Sequence, residues 1–296
     1  METSTSKKNL LESAIHGIFL ILGLITVACV LLITVYLVLS GLPAIGKIGL
    51  IDFLFGKVWD STNSTTGARY GILSFILTSV YGTAGAILVG VPIGFFTAVF
   101  LAKMAPEGVK AVVGGAVSLL AGIPSVVYGL VGMLVLVPGI RKLFHVPDGA
   151  SLLAAIVVLA VMILPSIVSV SVTALNAVPP EYEQGSLALG ATDAETWFKV
   201  SVPAARSGIA AGIVLGIGRA IGEAMAVMMV AGNSPNMPDS LFRSVTFLTT
   251  AIAKEMSYAS GLQKQALFSI ALVLFVFIMG INILLNVVLK GGKRDE

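Results

Sequence analysis

The chain has 296 residues, of which 57% are hydrophobic and 11% charged, with a net charge of +3 and a mean hydropathy of +1.01. Water-soluble domains carry about 25% charged residues, so this composition excludes one. It equally excludes a nucleic-acid binder, which needs a basic patch with interleaved aromatics, and two histidines with the lone Cys29 make neither a metal site nor a disulfide framework.

Apolar runs longer than about 18 residues predict membrane-spanning helices. Residues 1–13 form a polar tail, and the first span covers about Ala14–Ser40, too long for a signal-peptide core. Cys29 within it is a small hydrophobe facing lipid or another helix. A polar segment, Gly41–Arg69, follows, and its Phe53, Phe55 and Trp59 suit a membrane interface or a docking surface. The second span is about Tyr70–Leu101, broken at Pro92. The third is Ala111–Val137 with Pro124 inside, and Pro138–Gly149 is a turn. The fourth is Ala150–Ala174 with Pro165 inside. Each proline leaves a carbonyl without its amide partner, which other groups must satisfy. Two readings stay open: packing kinks, or a polar path lined by the hydroxyls of Ser125, Tyr128 and Ser166.

Residues 179–203 form a polar loop inside an apolar chain. Pro179 and Pro180 stop one helix and start another, with Glu181 and Glu183 in the first turn, where the helix dipole favours negative charge. Gly190 offers a C-terminal cap after Leu189. Thr192 and Glu195 form a capping box that opens a second helix, Asp193 to about Val200, ended by Pro203. The fifth span is about Ser207–Ala231, the sixth Ala266–Leu289, and 290–296 is a second tail. Gly208, Gly212, Gly216, Ala220 and Ala224 recur every four residues, a small-residue stripe along which another helix can approach.

Arg219 and Glu223 are the charges deep inside a span. Four residues apart, they are expected on one helical face. A mid-membrane charge costs about 2.5–3.5 kcal/mol on insertion scales, so such a residue faces a cavity or a partner. Either the two neutralise each other, or Arg219 binds an anion. Other patterns carry little. Gly41–Lys47 matches a phosphate loop, but Ile48 stands where Ser or Thr must hold magnesium, and no HExxH or GxSxG occurs. Asn63-Ser64-Thr65 is a weak glycosylation match. Lysines and arginines divide almost evenly between the two sides, so the positive-inside rule gives no orientation.

Gly190, nine residues, then Val200-Ser201-Val202-Pro203 resembles the second half of the EAA loop of bacterial ABC-importer permeases. Gln184, Gly185 and Ser186 stand where that family has Glu-Ala-Ala, a departure that leaves the glycine turn intact. Gly218–Val227 (GRAIGEAMAV) and Gly122–Gly129 (GIPSVVYG) narrow the resemblance to the C-type permease subunit of bacterial phosphate importers. Stretches such as Gly56–Asp60 extend it over nearly the whole chain. The resemblance implies an all-α integral membrane protein of six transmembrane helices, the type I ABC-importer (MetI-like) fold, over residues 14–289, in the cytoplasmic membrane with both termini cytoplasmic. It implies phosphate import by alternating access and no catalysis or cofactor in this chain, ATP and magnesium being held by partners. Those partners are an A-type permease, two ATPase subunits and an extracytoplasmic phosphate-binding protein, the last docking on Gly41–Arg69 and Gly232–Lys264.

The resemblance places Arg219 and Glu223 on the phosphate path. It gives the ATPase contact to the 179–203 loop, with Glu181, Glu183, Gln184, Gly185, Gly190, Ala191, Thr192 and Pro203 as its candidates. A same-fold permease for another oxyanion or small solute, or an uncoupled channel or signalling protein, are the alternatives.

Overall fold

The computed structural model describes residues 2–61 and 67–291. The sequon at Asn63 and residues 292–296 of the predicted tail lie outside the described residues. Helix α1, Glu2–Ile48, runs well past its predicted end and carries Pro43 inside it, until Gly49 at φ 93° turns the chain. Its late turns pack on the last helix: Tyr36 meets Phe268 edge-on at 5.5 Å, and the Ser269 hydroxyl donates to the Gly41 carbonyl at 2.6 Å. A short helix α2, Leu50–Phe55, leads into a two-stranded antiparallel ribbon, β1 Trp59–Asp60 with β2 Arg69–Tyr70. Phe53 and Trp59 are buried with Tyr70, Phe75 and Leu267, so of the three aromatics expected at a membrane interface or docking surface only Phe55 is exposed. The reason lies in the indole: its N–H, which must find a partner when buried, donates to both oxygens of Glu255 at 3.1 Å.

Helix α3, Leu73–Val99, passes through Pro92 without the predicted break and ends in a π-helical turn, Phe100–Met104. The predicted third span is divided instead. Helix α4, Glu107–Gly122, stops at Ile123 and Pro124, both extended. Helix α5, Ser125–Val131, then continues through a π-helical turn into α6, Val137–Phe144. Pro138 sits in the first turn of α6, where the missing amide is tolerated, so the expected turn is helical up to His145. The long apolar helix here is Ser125–Phe144.

Helix α7, Leu152–Asn176, is the centre of the molecule, buried along most of its length and opened by a Ser151 cap. Pro165 lies inside it without a break. The loop helices α8, Pro180–Ala188, α9, Asp193–Thr196, and α10, Val202–Ala204, precede α11, Arg206–Gly222, which turns away by 70°. Then come α12, Met225–Val230, α13, Leu248–Glu255, and α14, Gly261–Gly291. Among the described residues five helices are long and apolar enough to cross a membrane, six if the bent pair at Ala205 counts as one span. Along α11 the small-residue stripe packs as expected, only Ala224 falling beyond the end of the helix: a Cβ on Gly208 would lie 2.4 Å from that of Ala174, and one on Gly212 3.1 Å from that of Val170. Lipid is as apolar as leucine, so this close approach gains packing rather than hydrophobic energy.

Candidate functional site

The 179–204 loop is built by two backbone motifs. Gly190, at φ 87°, donates to the Leu187 carbonyl at 3.0 Å, and Ala191 donates to Ser186 at 3.2 Å, the paired bonds of a Schellman cap. No atom lies within 4 Å of a Cβ placed on Gly190, so its requirement is conformational, not steric. Thr192 accepts from the Glu195 amide at 3.3 Å while the Glu195 carboxylate accepts from the Thr192 amide at 3.2 Å, completing the capping box. Lys199 and the Thr192 groups hold Glu195 below the usual carboxylate range. The helix does not stop at Pro203 but one residue later, after a π-helical turn at Trp197–Ser201.

Glu183 and its neighbours diverge. Glu181 and Gln184 are exposed, as are Gly185 and Pro203, but Glu183 turns inward. Its carboxylate forms an ion pair with Lys103, at the end of α3, and accepts from the Ser201 hydroxyl at 2.7 Å. Burial alone would raise the pKa of Glu183; the two hydrogen bonds and the ammonium charge outweigh it and hold the carboxyl below its usual range. Leu189 is 91% exposed, with Tyr182, Leu187 and Phe198 also open to the surface. These apolar side chains were missed by reasoning from charge, and their signal was there: apolar residues between polar ones on short exposed helices.

In the spans, the expected Arg219–Glu223 face does not exist. Helix α11 ends at Gly222, and Glu223 is extended, with ψ 124°. The Glu223 carboxylate accepts from the Ala226 amide at 3.0 Å, capping α12, and its carbonyl accepts from the Thr249 hydroxyl of α13 at 2.9 Å. The carboxylate satisfies an amide that the restart of the chain would otherwise leave unpaired.

Arg219 opens instead onto a cavity of about 440 Å³ that it shares with Ser166 of α7 and Asn282 of α14. Asn282 was not singled out from sequence; an amide in a long apolar run was the available signal. The cavity runs from Ser166 of α7 along the open side of α11, where Leu215 is exposed and no atom lies within 4 Å of a Cβ on Gly218. Tyr128 is within electrostatic reach of Arg219 but lines a separate apolar cavity of about 850 Å³. Its hydroxyl donates to the Leu120 carbonyl at 2.6 Å. Ser125 is the first residue of α5, behind Pro124. Of the proposed path residues, then, the structure brings together Arg219 and Ser166 and sets the other three apart.

Comparisons with known proteins agree with this architecture. Residues 90–291 match the family described as binding-protein-dependent transport system inner membrane component. The chain is 41% identical over 258 residues to the probable ABC transporter permease protein YqgH of Bacillus subtilis, covering 86% of this chain and 83% of that one. It is 36% identical over 299 residues to the phosphate transport system permease protein PstC of Haemophilus influenzae, covering 95% and 92%. Among solved structures, the methionine ABC transporter MetNI in an inward-facing conformation aligns with a TM-score of 0.56 at 18% identity, over 75% of this chain and 94% of that one. An amino acid ABC transporter aligns at 0.54 and 20% identity, over 74% and 92%.

Proposed function

The chain belongs to the family of binding-protein-dependent transport system inner membrane components, and from that premise we propose that it is the C-type permease subunit of a phosphate importer. It is an all-helical, multi-pass membrane subunit of the MetI-like fold, and it transports rather than catalyses. ATP hydrolysis belongs to a separate ATPase subunit, and the solute arrives from a binding protein. We assign two ATPase copies to the cytoplasmic side, against the 179–204 loop and with both termini, ATP and magnesium staying on those subunits. A second, A-type permease covers the open side of α11.

The observation that carries the substrate is Arg219 beside Ser166 and Asn282 in one cavity. A guanidinium stays charged at any relevant pH and offers five donors in a planar fork that matches phosphate oxygens. A hydroxyl and an amide add neutral donors. The half-open cavity supports a path closed by the second permease. Movement of the loop reaches this cavity through the bend at Ala205 into α11, whose residues line it, while the Glu183–Lys103 pair ties the loop to the end of α3.

The test is phosphate uptake and phosphate-stimulated ATP hydrolysis by the reconstituted complex. Arg219→Lys keeps the charge but loses the fork and is impaired; Arg219→Gln is nearly inactive at normal complex yield. Full uptake by Arg219→Gln would overturn the assignment. Uptake of sulfate or molybdate in preference to phosphate would replace the substrate and keep the permease.

A further inference from the structure

At the opposite end of the molecule from the 179–204 loop, three cations meet. Lys47 near the end of α1, Lys57 after α2 and Arg69 of β2 line one cavity of about 500 Å³, and Asp52 is the one carboxylate in its lining. The charges lining it therefore favour an anion. Its floor is built. The backbones of Gly56 and Gly71 meet so closely that a Cβ on Gly71 would lie 2.3 Å from the Gly56 carbonyl carbon. Gly71 donates to the Val58 carbonyl and Ile72 to that of Phe53, each at 2.9 Å, over the buried Phe53, Trp59 and Tyr70. Lys47 spends one donor on the Gln265 side chain at 3.3 Å, and an ammonium has two more.

Two independent features say what reaches this cavity. The first is depth. The apolar span of α1, Ile15–Ile48, has no Asp, Glu, Lys or Arg before Lys47, which stands at its far end. A hydrocarbon core of about 30 Å lies within a bilayer of roughly 40–45 Å, so the Lys47 ammonium can reach the headgroup layer. The second is the surface of α2. Its Phe53 is fully buried, yet Ile51 and Phe55 are 74% and 64% exposed beside the cavity, with Leu50 exposed next to them. A short helix with one face in the protein core and bulky apolar residues on its outer surface, flanked by lysines, has the composition of a segment lying in the membrane interface.

We propose that this corner is a phospholipid site: Leu50, Ile51 and Phe55 enter the acyl boundary, and Lys47, Lys57 and Arg69 bind the phosphate of an anionic headgroup. Arg69 can engage two phosphate oxygens at once, and the lysines supply point charges. The site anchors the ribbon and the end of α1 to the bilayer surface. It shares no residue with the Arg219 cavity, so it stands or falls apart from phosphate translocation.

The experiment uses the whole transporter complex in nanodiscs of phosphatidylcholine containing phosphatidylglycerol. Bound lipid is counted by native mass spectrometry, and a photoreactive residue at Ile51 reports its neighbour. The parent retains phosphatidylglycerol. Retention falls about five-fold for each of Lys57→Ala and Arg69→Ala, and Lys57→Arg keeps it. The Ile51 probe labels lipid. Both alanine variants are at exposed positions, so each leaves the fold intact and carries the test on its own. Equal retention by parent and variants overturns the proposal. So does displacement of the lipid by millimolar inorganic phosphate, which would make this a free-anion site. Capture of the solute-binding protein by the Ile51 probe overturns it too, by making the corner a protein-docking face.

Discussion

The Tyr128 hydroxyl donates to the Leu120 carbonyl at 2.6 Å, across the break between α4 and α5. In an uninterrupted helix that carbonyl would accept from the amide of residue 124, and Pro124 has none. The tyrosine thus replaces the bond that the proline removes, in a setting where water is scarce. Tyr128→Phe leaves the carbonyl with only the long Ile123 contact, 3.4 Å, and costs about 1–3 kcal/mol. In a Pro124→Ala background the amide returns, so the same substitution costs less. Thermal unfolding of the four proteins of this cycle measures the difference; equal costs in both backgrounds would show that Tyr128 does not compensate for Pro124.

Gly190 stands at φ 87° with open space around it. Gly190→Val therefore meets backbone strain without a clash. The left-handed conformation costs an ordinary residue about 1–2 kcal/mol, more for a β-branched one. The subunit still inserts, but the Schellman cap opens and ATP hydrolysis uncouples from uptake. Gly190→Asn retains more coupling, because asparagine tolerates this region. Coupling ratios ranked Gly, Asn, Val check this; full transport by Gly190→Val excludes a docking role for the turn.

The Glu183 carboxyl is held below its usual range, so the sign of its pH dependence follows. A depressed folded pKa contributes stability that is fully present above the unfolded value, near 4.3, and is lost as pH falls through the folded value. The link between the loop and the end of α3 is intact at neutral pH and fails only in acid. Glu183→Gln removes that acid step and weakens coupling at pH 7, and the charge swap Lys103→Glu/Glu183→Lys restores part of it. Uptake against pH for the parent and the two variants is the measurement; an unchanged acid limb in Glu183→Gln would exclude this carboxylate as its source.

Glu223 caps α12 rather than pairing with Arg219. Glu223→Gln keeps an oxygen for the Ala226 amide, so complex yield holds. Glu223→Leu leaves that amide unpaired and lowers yield, a loss of about 1 kcal/mol or more. Adding Arg219→Leu does not restore it. Recovery of yield in the double variant would mean that the two charges compensate each other after all.

Sequence by itself determined the membrane class, the placement of the second, fourth and sixth spans, the stripe on α11 and the loop motifs, while the expected third and fifth spans are each divided. These depend on composition and on contacts within a few residues: Gly190 needs only its own φ, and Thr192 reaches Glu195 within one turn. Only the tertiary structure decided where helices stop and what distant side chains meet. Pro43, Pro92 and Pro165 stay inside helices, while Pro124 ends one. A proline removes one bond wherever it stands, and the neighbouring packing sets whether the helix survives the loss. The spacing of Arg219 and Glu223 implied one face, but the helix ended first, and Ser166 and Asn282 arrived from α7 and α14 to complete the cavity. Glu183 was legible as a first-turn carboxylate; its bond to Lys103 joins residues 80 positions apart. Such pairings follow from how α3, α7 and the loop pack together, which no local pattern in the chain encodes.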